Sequence, residues 1–414
     1  MSTTVSPSPN RKTWDATVRV TGGHPQQLWG IGEAQASAEG PQLRVERVLV
    51  HDDARRTLGY AQVLLRSRAE RVIAETVQCH VHRPGDVPVV AGALAAWARD
   101  EHAAALLRLD PDTLRTPGAG DALTEAGFTR RGTVVAGPQG PRRLQVPLAD
   151  SERDLARRLS QQTLDRCRAA LRSSGVTVRE VTAGSGELGR VGLRTRLIDR
   201  LLEDLGEDSL LLVATESAGG PDGATDDGTD DGTDDGAGPG ESALGYLWFV
   251  HTGELAMLYR VGFTRRARDL GVDDALLLTG LVELRKRGVR ALDGGDPAEP
   301  DVPLVLRELA AGERPVLGTW EIALGRGRSG EFTGTTDAVE AADAAVRATG
   351  TAVAQELGVA DPVPAVPEPG PEQEPRGGAE PAGDERAGGV RRVGAFTKRL
   401  LGEGVSALRS AAGR

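Results

Sequence analysis

The segment 265–274 has the residue types of an anion-binding turn. It reads RRARDLGVDD and leads into a long apolar helical pattern. An Arg-x-x-Gly turn at a helix N-terminus can bind a pyrophosphate, because backbone N–H groups point at the anion. Arg268 and Gly271 fit that form, but Asp273 and Asp274 place two carboxylates where the phosphate would approach. Two carboxylates cap a helix well and repel pyrophosphate, so the pattern disfavours coenzyme A. The arginines left for another phosphate ligand are Arg265, Arg266 and Arg268.

A second basic cluster lies about a hundred residues earlier. It consists of Arg166, Arg168 and Arg172, with Arg157 and Arg158 in the preceding predicted helix. Their spacing does not form one helical stripe, and an ordinary solvated helix surface explains the cluster equally well. The two clusters together would suit a long polyanion such as the acceptor end of a tRNA.

Other chemistry-bearing residues are few. Asp293 ends a predicted strand and is a candidate for orientation or proton transfer; capping the strand as a turn residue is the alternative. His80 and His82 share a strand face without an evident third ligand, so we expect no metal site. Two cysteines, Cys79 and Cys167, argue against a disulfide framework. The sequence carries no GxSxG, HExxH, paired CxxC or Walker motif.

The elements that position the first basic cluster follow from hydrophobic periodicity. We predict strands at 244–250 and 255–261 around a turn at Thr252 and Gly253, and a loop from Thr264 to Asp269. A helix from about Asp273 to Lys286 and a buried strand at 289–292 follow. Hairpin, basic turn, helix and strand is the central order of an acyl-CoA N-acetyltransferase-type (GNAT-like) domain.

The same order occurs twice in the chain. Pairs of identical dipeptides recur 186 positions apart, each at the same place in the local pattern. Four such coincidences in one register indicate a tandem duplication. They are Gly59-Tyr60 with Gly245-Tyr246, Ala105-Leu106 with Ala291-Leu292, Asp110-Pro111 with Asp296-Pro297, and Gly132-Thr133 with Gly318-Thr319.

The predicted fold class is therefore α/β (α+β), with two GNAT-like domains built on central mixed β-sheets. We place domain 1 at 13–150 and domain 2 at 151–330, after a disordered leader at 1–12. An acidic, disordered loop at 217–241 interrupts domain 2; its Asp-Gly repeat lacks the spacing of a calcium loop. A helix at 331–358, a Pro/Gly/Glu linker at 359–389 and a basic amphipathic helix at 390–414 complete the prediction.

Charge and hydropathy limit the classes of partner. The net charge of −10 resides mainly in the acidic loop and the linker, and the predicted folded body is nearly neutral. Partners must therefore be inferred from local arginine patches. The longest apolar runs are too short to span a membrane, and the N-terminus lacks a signal-peptide core. We expect a cytoplasmic protein. As a basic amphipathic helix, 390–414 would contact the inner face of the membrane or a partner; plain disorder of this segment is the alternative.

Several motifs together resemble the Fem family of peptidoglycan-bridge peptidyltransferases, over residues 14–328. The segment HPQQLWGIGE at 24–33 is similar to the family's HPxQSxEWGE opening. LDP at 109–111 resembles its IDP, and GF at 127–128 matches its GF. The block from Gln162 to Arg179 resembles its KTRxxIRKAxxxGVxVR, RGV through DGG at 287–295 its GxxxYDxGG, and LGTWE at 317–321 its LGEWD.

The resemblance implies two GNAT-like domains and transfer of an amino acid from aminoacyl-tRNA to the stem peptide of a lipid-linked or nucleotide-linked cell-wall precursor. It implies no cofactor besides aminoacyl-tRNA as co-substrate. Gln35 and Leu164 stand where the family has lysine and arginine, and Arg307 lies near its aromatic-lysine pair. The catalytic residues we expect are Arg307 and Asp293. The substrate-binding residues we expect are Trp29, Gln35, Tyr259, Arg166, Arg168, Arg172, Arg265, Arg266 and Arg268.

The reaction itself needs mainly positioning, since an ester donor is already activated and the acceptor is an amine. Arg307 could stabilise the tetrahedral oxygen. No general base is evident, so we expect the substrate to assist proton removal. Two alternatives stay open: an acetyl-CoA-dependent N-acyltransferase, and a catalytically silent Fem-like scaffold of cell-wall synthesis.

Overall fold

The computed structural model describes residues 2–68, 71–131, 141–148, 151–173, 175–183, 196–217, 241–297 and 303–325. The elements up to residue 148 are Thr3–Pro7 (β1), Arg11–Val20 (α1), Trp29–Glu39 (α2), Leu43–Asp52 (β2), Thr57–Arg68 (β3), Arg71–Thr76 (β4), His80–Val81 (β5), Val87–His102 (α3), Ala104–Leu109 (β6), Ala119–Glu125 (α4), Thr129–Arg130 (β7) and Arg142–Pro147 (β8).

The elements after residue 150 repeat much of this order. They are Glu152–Arg158 (α5), Gln161–Arg172 (α6), Val176–Val181 (β9), Arg196–Leu205 (α7), Ser209–Ser217 (β10), Glu241–His251 (β11), Leu255–Phe263 (β12), Arg265–Leu270 (α8), Val272–Lys286 (α9), Ala291–Asp293 (β13), Leu304–Leu309 (α10), Glu313–Pro315 (β14) and Trp320–Ala323 (β15).

Two mixed β-sheets carry the duplication. The first has strand order β1-β2-β3-β4-β6-β15-β7, with β5 paired to β3, and the second has order β14-β8-β13-β12-β11-β10-β9. In each sheet an antiparallel meander ends on one parallel pair, β4 with β6 and β12 with β13. The long helix α3 or α9 connects the two strands of that pair, as a parallel crossover requires. The predicted fold class and tandem arrangement are confirmed.

The predicted boundary at residue 150 does not separate the two sheets. Strand β8, from the first half of the chain, pairs with β13 of the second sheet. Strand β15, from the second half, lies between β6 and β7 of the first sheet. Trp320 on β15 is 5 % exposed and packs in the first half's core. Each half therefore completes the other half's sheet, and the linear boundary was wrong for these two strands.

A third hydrophobic core lies between the halves. Each sheet has its own core against its long helix, and a further cluster joins Trp14 and Tyr60 of the first half to Leu201, Tyr246 and Trp248 of the second. Helix α2 packs directly against α7 in this region. The contact surface is apolar and buried, which stabilises one fixed arrangement of the two sheets.

Two local predictions need correction. The leader is not disordered over its described residues, because β1 pairs antiparallel with β2 and α1 begins at Arg11 with an Asn10 cap. The predicted loop 264–269 is mostly the short helix α8, whose N-cap is the Thr264 side chain accepting from the Ala267 N–H. Such a Thr cap is a helix-start signal that the sequence interpretation overlooked.

The tails and the acidic insertion lie largely outside the described residues. Ser217 and Glu241 pair across β10 and β11, so 218–240 connects the two strands of a hairpin. The predicted helix at 331–358, linker at 359–389 and basic helix at 390–414 also lie outside. Within the described ranges, no helix is both long enough and apolar enough to cross a bilayer.

Candidate functional site

A network of charged side chains joins the two halves at the carboxyl end of β13. Asp293 Oδ2 accepts a hydrogen bond from Arg143 Nη1 at 2.5 Å and lies 3.2 Å from His24 Nε2. Asp293 Oδ1 accepts from the Gly295 N–H at 2.9 Å. His24 belongs to the loop after α1, and the neighbouring Gly23 carbonyl accepts from the Thr252 hydroxyl. The end of the second half's parallel strand is thus bound to a loop of the first half.

The protonation of this network follows from its hydrogen bonds. The Gln26 N–H donates to His24 Nδ1 at 3.2 Å, so the ring hydrogen is assigned to Nε2, facing Asp293. Burial acts to raise the pKa of Asp293, but the His24 hydrogen bond and the Arg143 charge outweigh it and hold that pKa well below its ordinary value. Such a carboxylate is a weak base. The geometry therefore favours Asp293 as an orienting residue, with its turn-capping bond also present, over proton transfer.

Arg143 bridges the corresponding ends of both sheets. Its Nη2 lies 4.0 Å from Asp110 Oδ2, directly after β6, while its Nη1 bonds Asp293 after β13. Gln78 Nε2 donates to the same Asp110 oxygen at 2.7 Å. Burial raises the pKa of Asp110 despite the nearby guanidinium. One arginine therefore holds the ends of the two parallel strands together.

The predicted anion turn is covered by an arginine from the other basic cluster. Arg166 Nη2 donates to the Arg268 carbonyl at 2.9 Å and lies 3.4 Å from Asp273 Oδ1. Its Nη1 is 3.6 Å from Asp274 Oδ2. A Cβ on Gly271 would lie 2.6 Å from Arg166 Cγ, so the side chain crosses the turn in contact with its backbone. The structure brings the two clusters together and fills the approach to the turn.

The remaining arginines of both clusters differ in their surroundings. Arg265 and Arg268 are exposed on α8, and no ion pair to a described residue is formed by either side chain. Arg266 pairs with Glu216 at 3.1 Å. Arg168 bonds Asp165 in its own helix, while Arg172 is exposed at the end of α6. Arg265, Arg268 and Arg172 are thus exposed to solvent, and Arg266 is exposed as well although it is paired with Glu216.

The aromatic candidates mainly serve internal packing. The Arg47 guanidinium carbon lies 3.6 Å from the Trp29 ring centroid, and Arg47 Nη2 donates to the Trp29 carbonyl at 2.9 Å. This cation–π contact occupies the ring face. Tyr259 packs edge-on against Trp248 at 5.5 Å in the core between the halves. Gln35 is half-buried on α2.

Arg307 is exposed on the short helix α10. The neighbouring Leu306 side chain lies close to Gly294 at the end of β13, at 3.7 Å from the position of a Cβ there. Asp274 Oδ1 accepts the Val305 N–H at 3.3 Å, so the same carboxylate that meets Arg166 also fixes the start of α10. Arg307 therefore lies on a helix packed beside the junction, and its predicted role remains a prediction.

Sequence reasoning overlooked the residues that form the junction network. His24 lies in a quoted motif but was not selected, and Arg143 had no distinguishing local pattern.

His80 Nδ1 lies 2.6 Å from Asp112 Oδ2, a pairing between residues 32 positions apart. Across the described ranges no group of three or more His, Cys, Asp or Glu side chains is placed to hold a metal ion. Burial raises the pKa of the Cys167 thiol to about 12, which makes it a poor nucleophile at neutral pH.

Comparison with solved structures identifies the architecture. The crystal structure of FemX matches 78 % of this chain and 97 % of its own, with a TM-score of 0.56 and 16 % sequence identity. The fold is similar to that of FemX. This confirms the tandem GNAT-like fold that the sequence resemblance implied. At such low identity the match concerns the fold only.

Two further structures are similar at lower scores. A GCN5-related N-acetyltransferase from Sphaerobacter thermophilus is 17 % identical over 79 % of this chain and 97 % of its own, with a TM-score of 0.38. L-PGS from Bacillus licheniformis is 12 % identical over 79 % and 96 %, with a TM-score of 0.43. Searches of protein-family models and of curated protein sequences gave no match.

Proposed function

We propose that this protein is an aminoacyltransferase that moves an amino acid from aminoacyl-tRNA onto the stem peptide of a peptidoglycan precursor. The acceptor is lipid II or its nucleotide-linked counterpart, and the product is part of an interpeptide bridge. Both the Fem-like motifs in the sequence and the FemX fold support this assignment. No cofactor is required, because the ester bond of aminoacyl-tRNA supplies the activated acyl group.

The observation that carries the proposal is that the approach to the Arg-x-x-Gly turn is occupied by an arginine and flanked by two carboxylates. Arg166 lies across Gly271 and bonds the Arg268 carbonyl, and Asp273 and Asp274 flank the helix start. A pyrophosphate entering here would have to displace the arginine and approach two carboxylates, which costs electrostatic free energy. A coenzyme A donor is therefore disfavoured in the second half.

Exposed arginines form a basic surface on the two helices beside this turn. Arg265 and Arg268 are exposed on α8 and Arg172 is exposed at the end of α6, and these two helices are in contact. Exposed guanidinium groups bind phosphodiesters through charge-assisted and often bidentate hydrogen bonds. A tRNA acceptor arm meets this surface with its backbone phosphates, while its charged 3′ end reaches towards the junction between the halves.

The chemistry assigned to the junction is positioning and charge stabilisation. The ion network of Asp293, Arg143 and His24 fixes the ends of both parallel strands, and Arg307 on the adjoining helix supplies a permanent positive charge for the tetrahedral oxygen. The expected contact of 390–414 with the inner membrane face would bring the protein to a lipid-linked precursor.

A transfer assay tests the proposal. The full chain is incubated with lipid II or the nucleotide-linked precursor and tRNA charged with glycine, alanine or serine, and the precursor is analysed by mass spectrometry. We expect one added residue with at least one charged tRNA and none with uncharged tRNA. Transfer from acetyl-CoA alone would indicate the N-acyltransferase alternative. Binding of precursor without any transfer would indicate a silent scaffold.

A further inference from the structure

A histidine–carboxylate pair lies in the first half, outside the residues assigned above. His80 Nδ1 is 2.6 Å from Asp112 Oδ2. The side chains are 13 % and 15 % exposed, so the pair is partly shielded from solvent. With Nδ1 bonded to the carboxylate, the Nε2 lone pair is the one left to accept a proton. No hydrogen bond from Nε2 to any described residue is present.

The orientation of this imidazole is fixed from several sides. The His80 ring stacks on Tyr60 with centroids 4.9 Å apart, and the exposed His82 ring meets it edge-on at 5.1 Å. The Asp112 N–H donates to the Cys79 carbonyl, and the Cys79 N–H donates to the Asp110 carbonyl. Backbone bonds thus fix both members of the pair relative to each other.

The pair borders the junction between the halves. The Tyr60 ring stacks on the His80 ring. The Tyr60 hydroxyl is hydrogen-bonded to the Thr21 hydroxyl at 2.7 Å and contacts Gly23. Gly23 precedes His24 of the ion network and accepts the Thr252 hydroxyl from the second half. Asp112 also lies two residues after Asp110, whose carboxylate is 4.0 Å from Arg143. A chain of contacts through Tyr60 and Gly23 therefore connects the imidazole to the network that holds both strand ends.

We propose that His80 is the general base of the reaction and that Asp112 is its positioning residue. This inference rests on the proposed function, since it names the group that removes the proton from the acceptor amine. The other junction groups are less suited. Both ring nitrogens of His24 are engaged, and Asp293 is held ionised by Arg143 and His24. Asp110 is buried, and its Oδ2 accepts from Gln78 and faces Arg143. His80 thereby replaces the substrate assistance that the sequence alone suggested.

The proton transfers balance with His80 as a shuttle. An acceptor ammonium first releases one proton to solvent, and the neutral amine nitrogen then attacks the ester carbonyl carbon of aminoacyl-tRNA. The C–N bond forms as His80 Nε2 accepts the second amine proton. The C–O bond to the ribose breaks, and the imidazolium returns that proton to the leaving ribose oxygen. Asp112 stabilises the transient imidazolium through its bond to Nδ1.

The test compares the pH–rate profiles of wild type, His80→Gln, Asp112→Asn and the control Asp100→Asn, using the transfer assay with charged tRNA. Asp100 is 60 % exposed and pairs with the adjacent Arg99 on α3, away from the His80 ring. Removal of a general base typically lowers the rate by about 10²–10⁴-fold. We expect a loss in that range for His80→Gln, with KM largely unchanged and with the rise of rate with pH abolished. Asp112→Asn should lower the rate roughly tenfold or more, while Asp100→Asn should retain the wild-type profile.

A chemical rescue separates catalysis from folding. Removing the His80 ring in His80→Ala leaves a slot against Tyr60 that added imidazole can enter, so imidazole should restore part of the rate. An active wild type whose His80→Gln variant keeps both rate and pH profile would overturn the inference alone. The inference would also be overturned if His80→Ala has the wild-type circular dichroism spectrum, is inactive, and is not rescued by imidazole. An inactive wild type with every charged tRNA would instead overturn the proposed function.

Discussion

Replacing Asp293 by asparagine should weaken the ionic contact between the two halves of the molecule. The substitution keeps an oxygen for the Gly295 N–H but removes the charge that faces Arg143 and His24. Breaking a fully buried ion pair costs about 3–5 kcal/mol. Arg143 is 30 % exposed and retains Asp110 at 4.0 Å, so we expect a smaller loss of about 2–3 kcal/mol in the free energy of unfolding at pH 7.

The pH dependence gives an independent check on the same variant. The folded-state pKa of Asp293 lies below that of the unfolded chain, which is about 3.9 for an aspartate. Its stabilising contribution is therefore fully present above about pH 4 and is lost as the pH falls further. The stability difference between wild type and Asp293→Asn should stay constant from pH 7 to about pH 5 and shrink below about pH 4.

Urea unfolding from pH 3 to pH 7 measures both effects. The matched control is Asp100→Asn, since Asp100 is 60 % exposed and pairs only with the adjacent Arg99 among the described residues. That control should change the free energy of unfolding by no more than about 0.5 kcal/mol. A loss below about 0.5 kcal/mol for Asp293→Asn at pH 7, or a difference that does not shrink on acidification, would refute the reasoning.

Three further predictions concern the basic surface, the exchanged strand and the covered turn. The double variant Arg265→Ala/Arg268→Ala should weaken aminoacyl-tRNA binding and reduce the slope of log K against log salt by about 1.5–2, as measured by filter binding. Trp320→Ala should destabilise the first sheet by about 3–5 kcal/mol, seen as faster hydrogen exchange in β6. Gly271→Ala should cost about 1 kcal/mol more in urea unfolding than Gly253→Ala, because both glycines have positive φ but only Gly271 has a side chain within 4 Å of the added Cβ.

Each of these has a contradicting outcome. Arg99→Ala is the control for the arginine pair, and an equal change in salt slope for both variants would place tRNA elsewhere. Unchanged exchange in β6 with faster exchange in β10 and β11 would contradict the position of Trp320. Equal losses for the two glycine variants would show that the α6 arginine does not cross the turn.

Hydrophobic periodicity and the 186-residue register predicted the duplicated part of the fold well. Helix α9 is buried on most sides, and strands β11 and β12 flank a turn with Gly253 at positive φ, so each has a strong local pattern. The pairing of β15 with β6 joins residues about 200 positions apart. No local pattern specifies such a pairing, because it depends on which sheet edge is open after both halves have folded.

The candidate site was predictable only in part, for a similar physical reason. The arginines on α6 and α8 were found as two separate clusters, and only the packing of these helices shows that Arg166 closes the turn at Gly271. His80 and Asp112 have ordinary neighbours in sequence, and their pairing arises from the adjacency of β5 to the end of β6. Side-chain partners across elements follow from tertiary geometry, which composition and spacing do not contain.

The most direct test of the account is the identity of the acyl donor. Wild-type protein is given a peptidoglycan precursor together with both acetyl-CoA and a mixture of glycyl-, alanyl- and seryl-tRNA, and the precursor mass is measured over time. We predict the addition of an amino-acid residue, dependent on charged tRNA and unaffected by acetyl-CoA. Addition of an acetyl group, or an unchanged precursor with every charged tRNA, would contradict the central claim.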